Sequence, residues 1–193
     1  MAKCYLYAIE YTKYTKERVL SRSSLFEMEE RWEYIERPAF DTQKIHKLAE
    51  SEGNIPLIFR ILCSNDPHTA VSLLEGYTVS ISSDYKKCPL YDSGMKKLSE
   101  FISQLPDSDD RARGKQLLSL LKGKNYDHFR LECAEIFETR GKDLDKQTLD
   151  LLDELNNIDK EIEKSLSKIR LGKKDDLREL DAAYWQADIS EVD

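Results

Sequence analysis

The 193-residue chain carries only four cysteines, Cys4, Cys63, Cys88 and Cys133, and no two of them form a Cys-x-x-Cys pair. Zinc sites usually draw on close ligand pairs, so this spacing argues against a bound metal. In a reducing compartment such thiols are small buried hydrophobes. The three histidines, His46, His68 and His128, are equally dispersed. None lies four residues from another, which excludes the arrangement that sets two imidazoles on one helical turn. Glycine is scarce at seven residues, and there is no Gly-x-Gly-x-x-Gly, no phosphate loop and no Gly-x-Ser-x-Gly. Dinucleotide, nucleoside-triphosphate and α/β-hydrolase chemistry therefore have no sequence support, and no catalytic, cofactor-binding or metal-ligating residue is expected. No apolar run approaches the roughly 18 residues that a spanning helix needs. The first apolar stretch breaks at Glu10 without a cleavage-type sequence. The expected location is cytoplasmic, with no membrane contact.

What is present is enough apolar residue, 40%, to build a core, and 35% charged residue to keep it in water. The net charge of −7 is unevenly placed. Residues 175–193 hold seven acids against the single base Arg178, a net of −6, which leaves −1 for the first 174 residues. A neutral body with an acidic end lacks the basic footprint of a nucleic-acid binder. It fits a protein partner with a basic surface.

Along the chain, Tyr5, Tyr7, Ile9 and Tyr11 recur at period two and predict a strand over 4–11, with Leu6 and Ala8 on its other face. Ser24-Leu-Phe-Glu27 has capping-box spacing ahead of Met28, Trp32 and Ile35, which predicts a helix ended by Pro38. Ile45, Leu48 and Ala49 predict a short helix that stops near Gly53. Residues 55–63 are the most apolar segment and fit either a strand or a buried helix. Asn54 as a cap and Pro56 in an early helical position favour helix. Asp66-Pro67 repeats that logic for a helix carrying Ala70, Val71, Leu73 and Leu74, closed by Gly76. Tyr77 to Ser82 alternates and predicts a second strand. Helices are expected from Asp92 or Ser93 to Pro106, over 108–122, over 126–140 and over 145–171, with a last short one holding Leu177, Leu180 and Tyr184.

The spacing of Leu151, Leu155, Ile158, Ile162, Leu166 and Ile169 is a narrow seam that suits a helical hairpin or a dimer. Ser93-Gly-Met-Lys96 formally matches the Ser-x-x-Lys of acyl-transfer enzymes, but its companion motifs are missing and Ser93 fits as a helix cap. Asp107, Asp109, Asp110 and Asp175, Asp176 lack the register of a calcium loop and read as helix caps. The N-terminal tyrosines lack interleaved basic residues and read as core rather than as a platform for stacked bases.

The segments Cys-Tyr-Leu-Tyr-Ala (4–8), Ile-Pro-Leu-Ile-Phe (55–59) and Ser-Asn-Asp-Pro (64–67) resemble a group of uncharacterised bacterial proteins. Some of those look like immunity or accessory factors of contact-dependent toxin systems. The resemblance covers the first half of the chain and implies no catalytic residues.

Together these readings give an α+β fold, mainly helical, with a small sheet (strands near 4–11 and 77–82) packed with about seven helices. A single globular domain spans 1–174, with a sub-boundary near 106, and an acidic aromatic tail spans 175–193. The expected function is non-enzymatic protein binding with no cofactor, and the resemblance implies the form of an immunity-type inhibitor of a bacterial toxin. Tyr184 and Trp185 are the candidate anchors and Asp181 and Asp188 the candidate charges, unless the rings only tie the tail to the body. The alternatives are an enzyme that gathers His46, Arg60 and carboxylates in a pocket, and a homodimer built on the 145–171 seam.

Overall fold

The computed structural model describes residues 1–11, 14–22, 30–38, 43–71, 77–81, 90–122, 124, 126–141, 143–172 and 177–185. The fold is mixed α+β. In chain order the elements are β1 (Lys3–Tyr11), β2 (Tyr14–Arg22), β3 (Glu30–Pro38), β4 (Gln43–Glu52), α1 (Leu57–Leu62), β5 (Pro67–Val71), β6 (Tyr77–Ile81), α2 (Leu90–Gln104), α3 (Ser108–Leu121), β7 (His128–Glu132), α4 (Ala134–Thr139), α5 (Leu144–Asn156) and α6 (Ile158–Arg170). Two single-turn 3-10 helices, Arg178–Leu180 and Ala182–Tyr184, follow. Seven strands and six α-helices among the described residues replace the mainly helical expectation. No helix among them is long and apolar enough to cross a membrane.

The main sheet has the order β4-β1-β7-β6-β5, and every neighbouring pair is antiparallel. Within it β1 lies between β4 and β7. The first face of β1 carries Cys4, Leu6 and Ala8, and that of β7 carries Phe129 and Leu131, all fully buried. These join Phe59, Leu98, Phe101, Leu117, Leu155 and Leu166 from the helices in one apolar core. The second face of β1 is also buried, through Tyr7, Ile9 and Tyr11. β2 and β3 form a separate two-stranded sheet in which Lys16 lies opposite Glu36 and Arg22 opposite Glu30 in register.

Five expected helices are strands or broken helices. Residues 30–38 form β3; Ser24 and Met28 lie outside the described residues. Residues 43–52 form β4, where the register shifts between Leu6 and Tyr7. The extra residue lets Leu48 and Ala49 both be buried, so a bulged strand copies the three-four spacing of a helix. Asp66 has φ 51°, a left-handed conformation that turns the chain rather than capping a helix, and Pro67 opens edge strand β5. Within the expected 126–140 helix, 128–132 form β7, because Phe129 and Leu131 alternate with His128, Arg130 and Glu132; only Ala134–Thr139 is helical. The long helix over 145–171 is interrupted at Asn157 (φ −108°, ψ 25°), which ends α5 and begins α6.

Other expectations hold. Residues 57–62 are helical, with Pro56 at the N-cap position. Strands 4–11 and 77–82 appear as β1 and β6 within a residue. Asp107 caps α3 by accepting from the amides of Asp109 and Asp110 at 2.7 and 3.1 Å, and Asp143 caps α5 in the same way. The seam residues Leu151, Leu155, Ile158, Ile162 and Leu166 are buried in the chain's own core.

Two substitutions test this packing. An added Cβ at Gly94 on α2 would stand 2.5 Å from the carbonyl oxygen of Leu62, a backbone atom at the end of α1. Gly94→Ala should therefore lose about 1–3 kcal/mol by overpacking, despite the better helix propensity of alanine, as read by urea unfolding. Leu155→Asp puts a carboxylate at a site with no exposure and should cost several kcal/mol, seen as a lowered melting temperature. An unchanged melting temperature would mean that this position is not core.

Candidate functional site

The residues singled out near the C-terminus pack on the body. Leu177, Leu180 and Trp185 belong to the main core. The Trp185 indole donates to the Glu179 carbonyl at 2.8 Å and stands edge-on to Phe59, with ring centroids 5.8 Å apart. The Tyr184 hydroxyl donates to the Glu50 carbonyl on edge strand β4. Asp181 is exposed and accepts from the Ala183 amide at 3.0 Å. Asp188 lies outside the described residues. The segment 177–185 thus closes the core, with both rings in intramolecular contacts and Asp181 facing solvent.

A cleft of about 140 Å³ lies where α1 and α6 meet this segment, lined by Arg60, Glu161, Lys164, Lys168 and Glu179 among others. Arg60 pairs with Glu154 at 3.2 Å and Glu161 at 3.8 Å. His46 is not part of it. Its Nε2 sits 3.1 Å from Glu10 and its ring stacks on Tyr126 at 4.9 Å. Arg60 and carboxylates converge in the cleft, and the histidine expected of an enzyme pocket stays on β4.

The densest group of buried polar residues is on the second face of the sheet, where sequence reading proposed no site. The alternation of β7 puts His128, Arg130 and Glu132 on one face, and the ladder sets them opposite Ile9, Tyr7 and Tyr5. All three are buried, at 4%, 9% and 1% exposure. The Tyr11 and His128 rings lie 5.6 Å apart. The start of β7 is pinned to the end of β1 by paired bonds: the Tyr11 amide donates to Asp127 Oδ2 at 2.7 Å and the Asp127 amide to the Ile9 carbonyl at 2.8 Å. At the far rim the Tyr5 hydroxyl donates to Glu135 at 3.0 Å, while Lys3 and Lys47 both hold Glu50 at 2.6 Å.

Burial sets the protonation states. The imidazole of His128 is pushed down to about 3, first by desolvation and then by the Arg130 and His68 charges, so the ring is neutral. The Tyr7 phenol is pushed up to about 12 by burial and by Glu132. Arg130 is lowered by burial and supported by Tyr11 and Glu132. Its Nε is sealed from solvent with no hydrogen-bond partner among the described residues. Elsewhere, Cys4, Cys63 and Cys133 are buried free thiols, each raised by desolvation, Cys4 to about 12. Among the described residues no three His, Cys, Asp or Glu side chains gather as a metal site. The period-two row His128-x-Arg130-x-Glu132 was the available signal, hidden by the helical spacing of Tyr126, Phe129 and Cys133.

Residues 33–172 match the family described as domain of unknown function DUF7822, and the chain belongs to that family. No curated protein and no solved structure matches the chain.

Two outcomes follow from this geometry. Trp185→Ala should cost about 3–5 kcal/mol, because it empties a buried aromatic site, and chemical denaturation will show it. His128 binds a proton in the unfolded chain near pH 6.5 and in the folded protein only near pH 3. The unfolded state therefore holds the extra proton between these values, and stability should fall as the pH drops through that window, by up to about 1.4 kcal/mol per pH unit. Above pH 6.5 the contribution is constant. His128→Asn, followed by denaturant titration across the same range, should flatten that slope.

Proposed function

We propose that this chain is a non-enzymatic protein-binding domain whose partner presents a basic surface, in the manner of an inhibitor that neutralises a bacterial toxin. The observation that carries the reading is where the charge sits. Six of the seven net negative charges fall in residues 175–193, and within that stretch residues 177–185 pack on the body through Leu177, Leu180 and Trp185. A concentration of acidic charge at one end of a nearly neutral chain steers encounter with a cationic surface. The state of the reactive groups supports binding over catalysis. The buried thiols are held above the range where thiolates form, His128 is held below the range of an effective general base, and His46 does not reach the Arg60 cleft. The resemblance of 4–8, 55–59 and 64–67 to proteins that look like immunity factors supports the toxin-directed form.

The test is cross-linking of the full chain in its native cell, followed by association kinetics with the recovered protein. The expected association rate falls steeply between low and physiological salt, because exposed charges are screened over about 8–10 Å under those conditions. Asp181→Asn combined with Asp188→Asn and Glu191→Gln should slow association at low salt without changing the melting temperature. Recovery of no protein partner, or association that ignores both salt and these substitutions, overturns the reading.

A further inference from the structure

The charges that line the cleft between α1, α6 and residues 177–179 face one another without closing. Arg60 comes from α1, Glu161, Lys164 and Lys168 from α6, and Glu179 from the C-terminal segment. Glu161 stands 3.8 Å from Arg60 through one carboxylate oxygen and 3.8 Å from Lys164 through the other. Charges at that separation attract, but they are too far apart to hydrogen-bond. Among the described residues no polar partner comes closer to the Glu161 carboxylate or to the Lys164 amine. Arg60 donates from Nη1 to Glu154 at 3.2 Å, and Glu154 does not line the cleft. A similar trio at the rim of the sheet closes fully, with Lys3 and Lys47 both 2.6 Å from Glu50. The cleft therefore keeps donors and an acceptor of opposite charge around one space. Along α6, Glu161 precedes Lys164 by about one turn and Lys168 by two, so this wall runs from negative to positive over about 10 Å.

We propose that the cleft binds a small zwitterion of the α-amino-acid type, with Glu161 receiving the ammonium group and Arg60 and Lys164 the carboxylate. An ion of one sign would meet a like charge beside every partner, because Arg60 and Lys164 flank Glu161. A zwitterion offers each pole an opposite charge and adds no net charge to the site. The volume of about 140 Å³ is well below the roughly 300 Å³ at which pockets for drug-sized ligands begin, which limits the guest to a short amino acid. Leu57 and Leu177 in the lining suit a small aliphatic side chain. Small-molecule binding here goes beyond the protein-binding reading and does not depend on it.

The experiment uses the full chain and three probes at matched ionic strength. L-Alanine carries both poles, while sodium propionate and ethylammonium chloride carry one each. The backbone amide signals of Leu57, Lys164 and Leu177 are followed in ¹H–¹⁵N NMR titrations. The expected result is a saturable shift of these signals with L-alanine. Propionate and ethylammonium should bind about ten-fold more weakly or worse, since each forgoes a charge-assisted hydrogen bond. Glu161→Gln removes the negative pole, so it should weaken L-alanine by about ten-fold and strengthen propionate, with the melting temperature unchanged. A residue with a merely structural role would not exchange one probe for the other. No saturable shift with L-alanine, shifts confined to residues away from the cleft, or equal binding of L-alanine and either single-pole probe overturns the proposal. A Glu161→Gln protein that binds L-alanine like the wild type also overturns it. If Glu161→Gln does not fold, the wild-type comparison of the three probes decides alone.

Discussion

Everything else in this molecule depends on the burial of β1 on both faces. A strand with one wet face needs only one layer behind it, but here Leu6 and Ala8 face the helices while Tyr7, Ile9 and Tyr11 form a second apolar cluster. That requirement fixes the neighbours of β1. β4 and β7 must complete the ladder on either side, and the apolar faces of α2, α3, α5 and α6 must converge on the first face. The same burial creates the chemistry of the second face, since a polar residue placed opposite those tyrosines on β7 is withdrawn from water whether or not it has a partner. Neutral His128, the raised phenol of Tyr7 and the buried charge of Arg130 are three results of one packing decision.

The C-terminal segment is a second consequence. The five-stranded sheet has an edge at β4, and an edge presents backbone groups that invite unwanted pairing. Tyr184 occupies one of those carbonyls, at Glu50, while Trp185 fills the space beside Phe59. Residues 177–185 are held on the body because Leu177, Leu180, Tyr184 and Trp185 find sites there.

How far the sequence could be read depended on whether apolar spacing reported on one element or on two. Residues 90–121 were legible because Leu98, Phe101, Ile102 and Leu117 repeat with helical spacing inside uninterrupted helices, punctuated by Pro106 and the Asp107 cap. β4 was not, because its bulge brings Leu48 and Ala49 inward together and copies a helix. β7 was not, because Phe129 and Leu131 run into Ile136 and Phe137 of α4 across Cys133, and the sum looks like one amphipathic helix. The break at Asn157 was hidden for the opposite reason: the seam continues in phase through it, so nothing in the apolar pattern marks the change of direction. The polar face fell with β7. A residue such as Arg130 gains its meaning from Tyr7, more than a hundred positions earlier, and only the ladder brings the two together.

That separation has a bearing on biosynthesis. The partner strand β7 is made more than a hundred residues after β1. At translation rates of about 5–20 residues per second, one flank of the most apolar strand in the sheet waits roughly 6–25 s for its neighbour. Through that interval β1 has β4 as its only ladder neighbour in the main sheet. The main sheet therefore closes late relative to the synthesis of β1, because this long-range pairing must wait for β7.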